Sequence, residues 1–227
     1  MCRKIAIVCA GDREFAPFLP LLKDPVITEK AMLRFHEGTL NGVPVVALFT
    51  GVCKVNAAVA AQILIDHFHV NAIINAGTAG GIDPAVQLFD TVISTESAYH
   101  DVAANILTEF HPWMPSVWFQ SDPALLTAAR AAAETCPYPI RFGRMVTGEQ
   151  FITDDHRDEI IAGFAPLSTD METAAFHHVC HVNGIPFIAV RTITDTAEHA
   201  GAGHFEQNCA RASEISAQVV VEILKQL

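Results

Sequence analysis

Short apolar, β-branched runs alternate with helix-forming stretches along most of this chain, and that alternation leaves few architectures open. Lys4–Ala10, Val43–Phe49, Asn71–Asn75, Asp90–Glu96, Ile140–Thr147 and Pro186–Thr194 read as strands. Helical stretches lie between and after them at Phe15–Leu22, the Ala-rich Lys54–Phe68, Asp122–Thr135 with Ser121 as its cap, Asp154–Ala162, a helix ending near Val182, and an amphipathic Phe205–Leu227. Strands joined through helices run parallel and need both sheet faces covered. The expected fold is therefore α/β: one domain over residues 1–227, with a mixed, mainly parallel central sheet flanked by helices on both faces. Leu33–Leu40 and Val43–Phe49 form a hairpin about Asn41-Gly42, and Pro44 predicts an edge position for its second strand. The Asn71–Asn75 strand runs into Ala76-Gly77-Thr78-Ala79-Gly80-Gly81, which reads as a glycine-rich loop. Residues 103–121 also read as a loop. Its Trp113 and Trp118, set among prolines, point to a lid or a subunit contact, or to rings that only cover the core.

Half-apolar composition (51%) with 17% charged residues predicts a sizeable buried core. A net charge of −11 with no Lys/Arg cluster argues against nucleic acid as a partner. No apolar run approaches the roughly 18 residues of a membrane span. The opening run, Met1–Gly11, briefly mimics a signal peptide, but Asp12-Arg13-Glu14 interrupts it and it reads as a first strand. Cysteines at 2, 9, 53, 136, 180 and 209 form no CxxC pair, the pattern of buried thiols in a cytoplasmic protein.

Several patterns compete as the site of chemistry. The segment from Asn75 to Gly81 is neither GxGxxG nor a P-loop; its glycines permit a tight turn or a close backbone approach to a small ligand. His177 and His181 have zinc-compatible i, i+4 spacing, with His178 and Cys180 nearby, yet there is no HExxH and no third ligand, so packed or solvent-facing histidines are the preferred reading. His199 and His204 carry no stronger signal. No GxSxG elbow exists, and Cys9 and Cys53 read as small core residues. Three carboxylates remain, Glu14, Glu172 and Asp195, each following a strand. Asp170 is well placed as a helix cap. Taken singly each acid reads as a cap or a surface charge. Together, at one edge of a parallel sheet, they suit cleavage of a glycosidic bond, where one acid protonates the leaving group and a base activates water.

The ordered series Ile5–Glu14, Thr50–Val55, Asn75–Gly81, Tyr99-His100-Asp101, Gly148–Ile152, Asp170-Met171-Glu172 and Val190–Asp195 resembles the 5′-methylthioadenosine/S-adenosylhomocysteine nucleosidases of the nucleoside phosphorylase-like superfamily. The resemblance covers nearly the whole chain. It implies a cofactor-free, metal-free N-glycosidase, cytoplasmic and homodimeric, acting in methionine salvage on a small purine nucleoside. It also assigns roles. Glu14 activates the attacking water, Asp195 delivers a proton to purine N7, and Glu172, held by Arg191, binds the ribose hydroxyls. Met171 packs on the sugar, Phe151 stacks on adenine and the Ile152 backbone reads its Watson–Crick edge. Thr78 stands near the water, Gly80 lies in the glycine segment, and Val52 and Phe205 line the ribose and 5′ pocket. Phosphorylases of the superfamily carry an arginine where this chain has Asn75, which favours water as nucleophile. Three departures stand out: Ala103 lacks the acid that usually follows Tyr-His-Asp in a segment of the dimer contact, Gly11 replaces a bulkier residue, and Cys53 replaces a glycine. Two other enzyme readings remain, a nucleosidase for another 5′-modified or 6-oxopurine nucleoside such as a futalosine derivative, and a phosphorylase; a catalytically silent nucleoside sensor is the reading outside catalysis.

Overall fold

A computed structural model describes residues 4–152, 154–196 and 202–227. In chain order these form β1 (Ile5–Cys9), α1 (Asp12–Phe15), a 3₁₀ segment (Ala16–Leu21), β2 (Lys23–Lys30), β3 (Leu33–Leu40), β4 (Val43–Phe49), α2 (Lys54–Asp66), β5 (Ala72–Gly81) and β6 (Thr91–Tyr99). There follow α3 (Ile106–Glu109), β7 (Phe119–Gln120), α4 (Pro123–Thr135), β8 (Ile140–Thr147), α5 (Asp154–Phe164), β9 (Ser168–Asp170), α6 (Thr173–Asn183), β10 (Phe187–Asp195) and α7 (Ala202–Leu224). The fold is α/β with a mixed central sheet. Parallel pairs join β4, β1, β5 and β10, and also β6, β8 and β9. Antiparallel pairs close a ring, because β10 meets β6 and β5 meets β9.

Side-chain alternation explains the two-faced core. Every residue of β1 is buried. Ala6 and Val8 enter one apolar cluster with Leu64 of α2 and Phe176 of α6. Ile5, Ile7 and Cys9 enter the other with Leu125 of α4 and Val220 of α7. A period of two sends successive residues to opposite faces, so helices are required on both. Among the described residues no helix is long and apolar enough to cross a membrane.

Several expectations need correction. The Phe15–Leu22 helix is a single α turn followed by 3₁₀ structure, since Pro17 and Pro20 cannot supply α-helical N–H donors. β4 is interior rather than an edge, lying between β1 and β3. Pro44 is tolerated because pairing with β1 starts only at Val45. The glycine-rich segment is not a loop. It continues β5 to Gly81, pinned by β10 on one side and by β9 at its end. The cap of α4 is Asp122, whose side chain accepts from the Leu125 N–H at 2.9 Å, while Ser121 instead bonds Ser94. The 103–121 stretch contains α3 and β7. Within it Trp118 packs edge-on against Phe164 and Trp113 is 67% exposed, so the two rings do different things.

Candidate active site

The C-terminal ends of β1, β5, β9 and β10 open onto one cavity of about 340 Å³. Strand ends at one edge of an α/β sheet are where loops and helix starts converge, which is why such sites form there. Glu14, Glu172 and Asp195 line it together. So do Val52, Thr78, Gly80, Phe151, Ile152, Met171, Arg191 and Phe205. Positions scattered over 190 residues of chain are thus gathered by topology alone.

Glu14 sits in the turn of helix that β1 runs into. One carboxylate oxygen accepts the N–H groups of Ala10 (2.8 Å) and Gly11 (3.0 Å). The other accepts the N–H and hydroxyl of Thr78, both at 2.7 Å. Four donors fix the position of this carboxylate. The backbone of β5 makes room for this. Gly77 has φ +138°, and a Cβ there would lie 2.5 Å from Glu14 Oε1.

Glu172 is 2% exposed at the start of α6. Its two oxygens accept from the Cys53 N–H (2.9 Å) and from Arg191 Nη2 (2.7 Å). Burial pushes its carboxyl up to about 7, against the opposing pull of Arg191. Arg191, fully enclosed on β10, also pairs through Nε with Asp170 at 3.3 Å. The N-cap position of α6 is Glu172 rather than Asp170, which stands two residues ahead and accepts from the N–H groups of Glu172 (3.2 Å) and Thr173 (3.0 Å). Asp170 thus steadies the start of α6 and also joins an ion-pair network with Arg191, a role that the cap reading missed.

Asp195 closes β10. Its Oδ1 accepts from the Thr194 hydroxyl at 2.7 Å. Opposite it in register stands Gly80, where a Cβ would lie 3.0 Å from Asp195 Oδ2. Burial pushes this carboxyl above its ordinary range, while Thr194, Arg157 and His204 act in the other direction. Near this end Phe151, 43% exposed, meets Phe205 edge-on at 6.4 Å, and Ile152 is buried beneath.

A family model described as the phosphorylase superfamily matches residues 4–225. The chain is 35% identical to a 5′-methylthioadenosine/S-adenosylhomocysteine nucleosidase of Halalkalibacterium halodurans, covering 99% of both proteins. The chain belongs to this nucleosidase family. Its fold agrees with a family enzyme from Colwellia psychrerythraea solved in complex with adenine: TM-score 0.91 at 33% identity, over 100% of this chain and 96% of that one. It agrees equally with the nucleosidase from Neisseria meningitidis in complex with methylthio-immucillin-A, at TM-score 0.91 and 30% identity over 99% and 100% of the two chains.

Other candidates in this nucleosidase-family chain resolve differently. His177 is buried, its Nδ1 bonded to the Ser97 hydroxyl at 2.8 Å and its Nε2 to the Gln120 carbonyl at 2.9 Å. Its ring is used in packing, and burial lowers its pKa to about 3. Among the described residues no group of three or more His, Cys, Asp or Glu side chains is arranged to hold a metal. His199 and Cys2 lie outside the described residues; His204 is half-buried on α7. Cys9 is in the core as expected. Cys53 is not: it is half-buried at the site, and its N–H holds Glu172. Burial and Glu149 push its thiol up to about 11, away from nucleophilic chemistry. It adopts φ +82°, ψ 164°, a conformation essentially reserved for glycine. Gly11 is open: a Cβ there would meet nothing within 4 Å, so the departure does leave room at the cavity wall.

Proposed function

We propose that this chain hydrolyses the N-glycosidic bond of 5′-methylthioadenosine and S-adenosylhomocysteine, releasing adenine and the 5-thioribose product without a metal or organic cofactor. The observation that carries the reading is the convergence of Glu14, Glu172 and Asp195 on one cavity, in a chain of this family. Glu14 takes a proton from the water that attacks C1′, with Thr78 holding Glu14 from the other side. The C1′–N9 bond breaks with its electron pair going to adenine, and Asp195 places a proton on N7. That protonation acts where charge develops in the transition state, so it raises the rate more than it tightens ground-state binding. Glu172 accepts the ribose hydroxyls, and with Glu14 it lowers the energy of the cationic sugar. Met171 packs on the sugar, Phe151 stacks on the base, Ile152 presents backbone groups to its edge, Gly80 lets it approach β5, and Val52 and Phe205 flank the 5′ group.

Water is favoured over phosphate by the state of the cations. Arg13 and Arg191 line the cavity; Arg13 is paired with Glu206, and Arg191 with Asp170 and Glu172. Asn75, where phosphorylases of the superfamily resemble one another in carrying arginine, is fully buried and bonded to Val8 and Thr173. We further infer that residues 1–227 act as one unit, as a cytoplasmic homodimer in methionine salvage. Exposed apolar side chains at Val55, Ile106, Phe110 and Trp113 support the dimer; sedimentation of the protein tests it. The activity is tested by incubating the protein with either thioether in phosphate-free buffer. Stoichiometric adenine is expected, and release that requires phosphate, or no release from either, would refute the assignment.

A further inference from the structure

Arg157 has no role in the chemistry above, yet it is an arginine only 7% exposed near the end of the site where the leaving base would be protonated. It lies on α5, whose Ile160 packs with Ile82 and Ile152 in a small apolar cluster separate from the main cores. That packing holds α5 against the end of β5. From there Arg157 Nη1 donates to the Gly81 carbonyl. Gly81 is the next residue after Gly80, the register partner of Asp195, and a Cβ on Gly81 would lie 3.4 Å from the Asp195 carbonyl oxygen. The guanidinium is thus anchored to the same strand end that abuts the Asp195 carboxyl.

We propose that Arg157 is a positioning residue for Asp195: it clamps the β5 end against which the carboxylate rests, and from that strand end its positive charge acts on the carboxylate. The role rests on the nucleosidase reading of the site, since it matters for rate only if Asp195 is the proton donor. Two influences on the carboxyl oppose each other. Burial favours its neutral form, and the charge of Arg157, with the Thr194 hydroxyl, favours its anion. A donor to N7 needs both, enough burial to hold its proton and enough positive charge to release it. Among the described residues, the charge of His204 on α7 also acts on Asp195. Glu14, Glu172, Asp170 and Arg191 line other parts of the same cavity.

The test compares R157Q, R157M and R157K with wild type. The Asp195 carboxyl is titrated directly by difference infrared spectroscopy of its C=O stretch, with D195N supplying the assignment, and kcat/KM for methylthioadenosine is followed against pH. Whichever uncharged variant folds should titrate about one pH unit higher, the low end of what an opposite charge imposes. The alkaline limb of kcat/KM should move by the same amount in the same direction, and R157K should stay near wild type. An unmoved carboxyl titration overturns the proposal, and so does a rate loss equal at every pH. The spectroscopic readout needs no turnover, so a protein that cleaves no adenosine thioether would remove the nucleosidase assignment while still reporting on Arg157.

Discussion

Replacing Gly77 by alanine should damage the protein through Glu14, a residue 63 positions away in sequence. The new Cβ would stand 2.5–2.8 Å from the carboxylate atoms of Glu14, too close for any real contact. A flexible side chain would swing aside at little cost, but Glu14 is held by four donors at 2.7–3.0 Å. Yielding means losing at least one hydrogen bond to a charged group, about 1.5–3 kcal/mol. Alanine at φ +138° adds backbone strain of about 1–3 kcal/mol. The sum, roughly 2.5–6 kcal/mol, is within reach of denaturant unfolding. A double-mutant cycle separates the parts. In an E14A background the three nearest atoms to that Cβ are gone, so mainly the strain should remain and the coupling should be about 1.5–3 kcal/mol. Turnover of G77A should fall about 10²-fold, the cost of a misplacement near 1 Å. Equal effects of G77A with and without Glu14 would refute the argument, as would wild-type turnover in the single variant.

Two further outcomes follow from the same site. C53G should stabilise the protein by about 1 kcal/mol, because relief of strain of about 1–3 kcal/mol outweighs the added freedom of the unfolded chain, and activity should survive because the N–H to Glu172 remains; a loss of stability in chemical denaturation would contradict the strain argument. The second concerns pH. Glu172 titrates at about 7 when folded against an ordinary 4.5, so between those values the native state holds a proton that the unfolded chain has lost. Its contribution to stability therefore falls as pH rises from about 4.5 to 7 and is level above that. The stability of wild type minus that of E172Q should fall across that window as pH rises; a rise would mean that Arg191 overrides burial.

Much of this was legible in the residues, for reasons that differ from place to place. β1, and β10 over Phe187–Val190, announce themselves because they are buried on both faces and so read as apolar runs. The acids that follow them were legible for the same reason, as strand ends could be located. β2 was not read as a strand. Lys23–Lys30 pairs only with β3, and all but one of its residues are exposed, so no apolar alternation marks it. The glycines of β5 misled in the other direction. Glycine there signals close approach, of Glu14 at Gly77 and Asp195 at Gly80, rather than a turn. Arg157 left no signal, because an arginine in a polar helix looks like a solvated charge until the packing of Ile160 shows where its helix lies. Asp170 was legible as an acid at a helix start, but its link to Arg191 depends on β9 and β10 both pairing with β5, a strand far from them in sequence.

The central claim is that acids from three remote segments act on one purine riboside. A crystal structure of this protein with methylthioadenosine bound to the D195N variant tests it most directly. The base should lie beside Phe151 with N7 at residue 195, the ribose hydroxyls on Glu172, and a water between Glu14 and C1′. A nucleoside seated elsewhere, or bound in this cavity with N7 turned away from residue 195, would contradict the account.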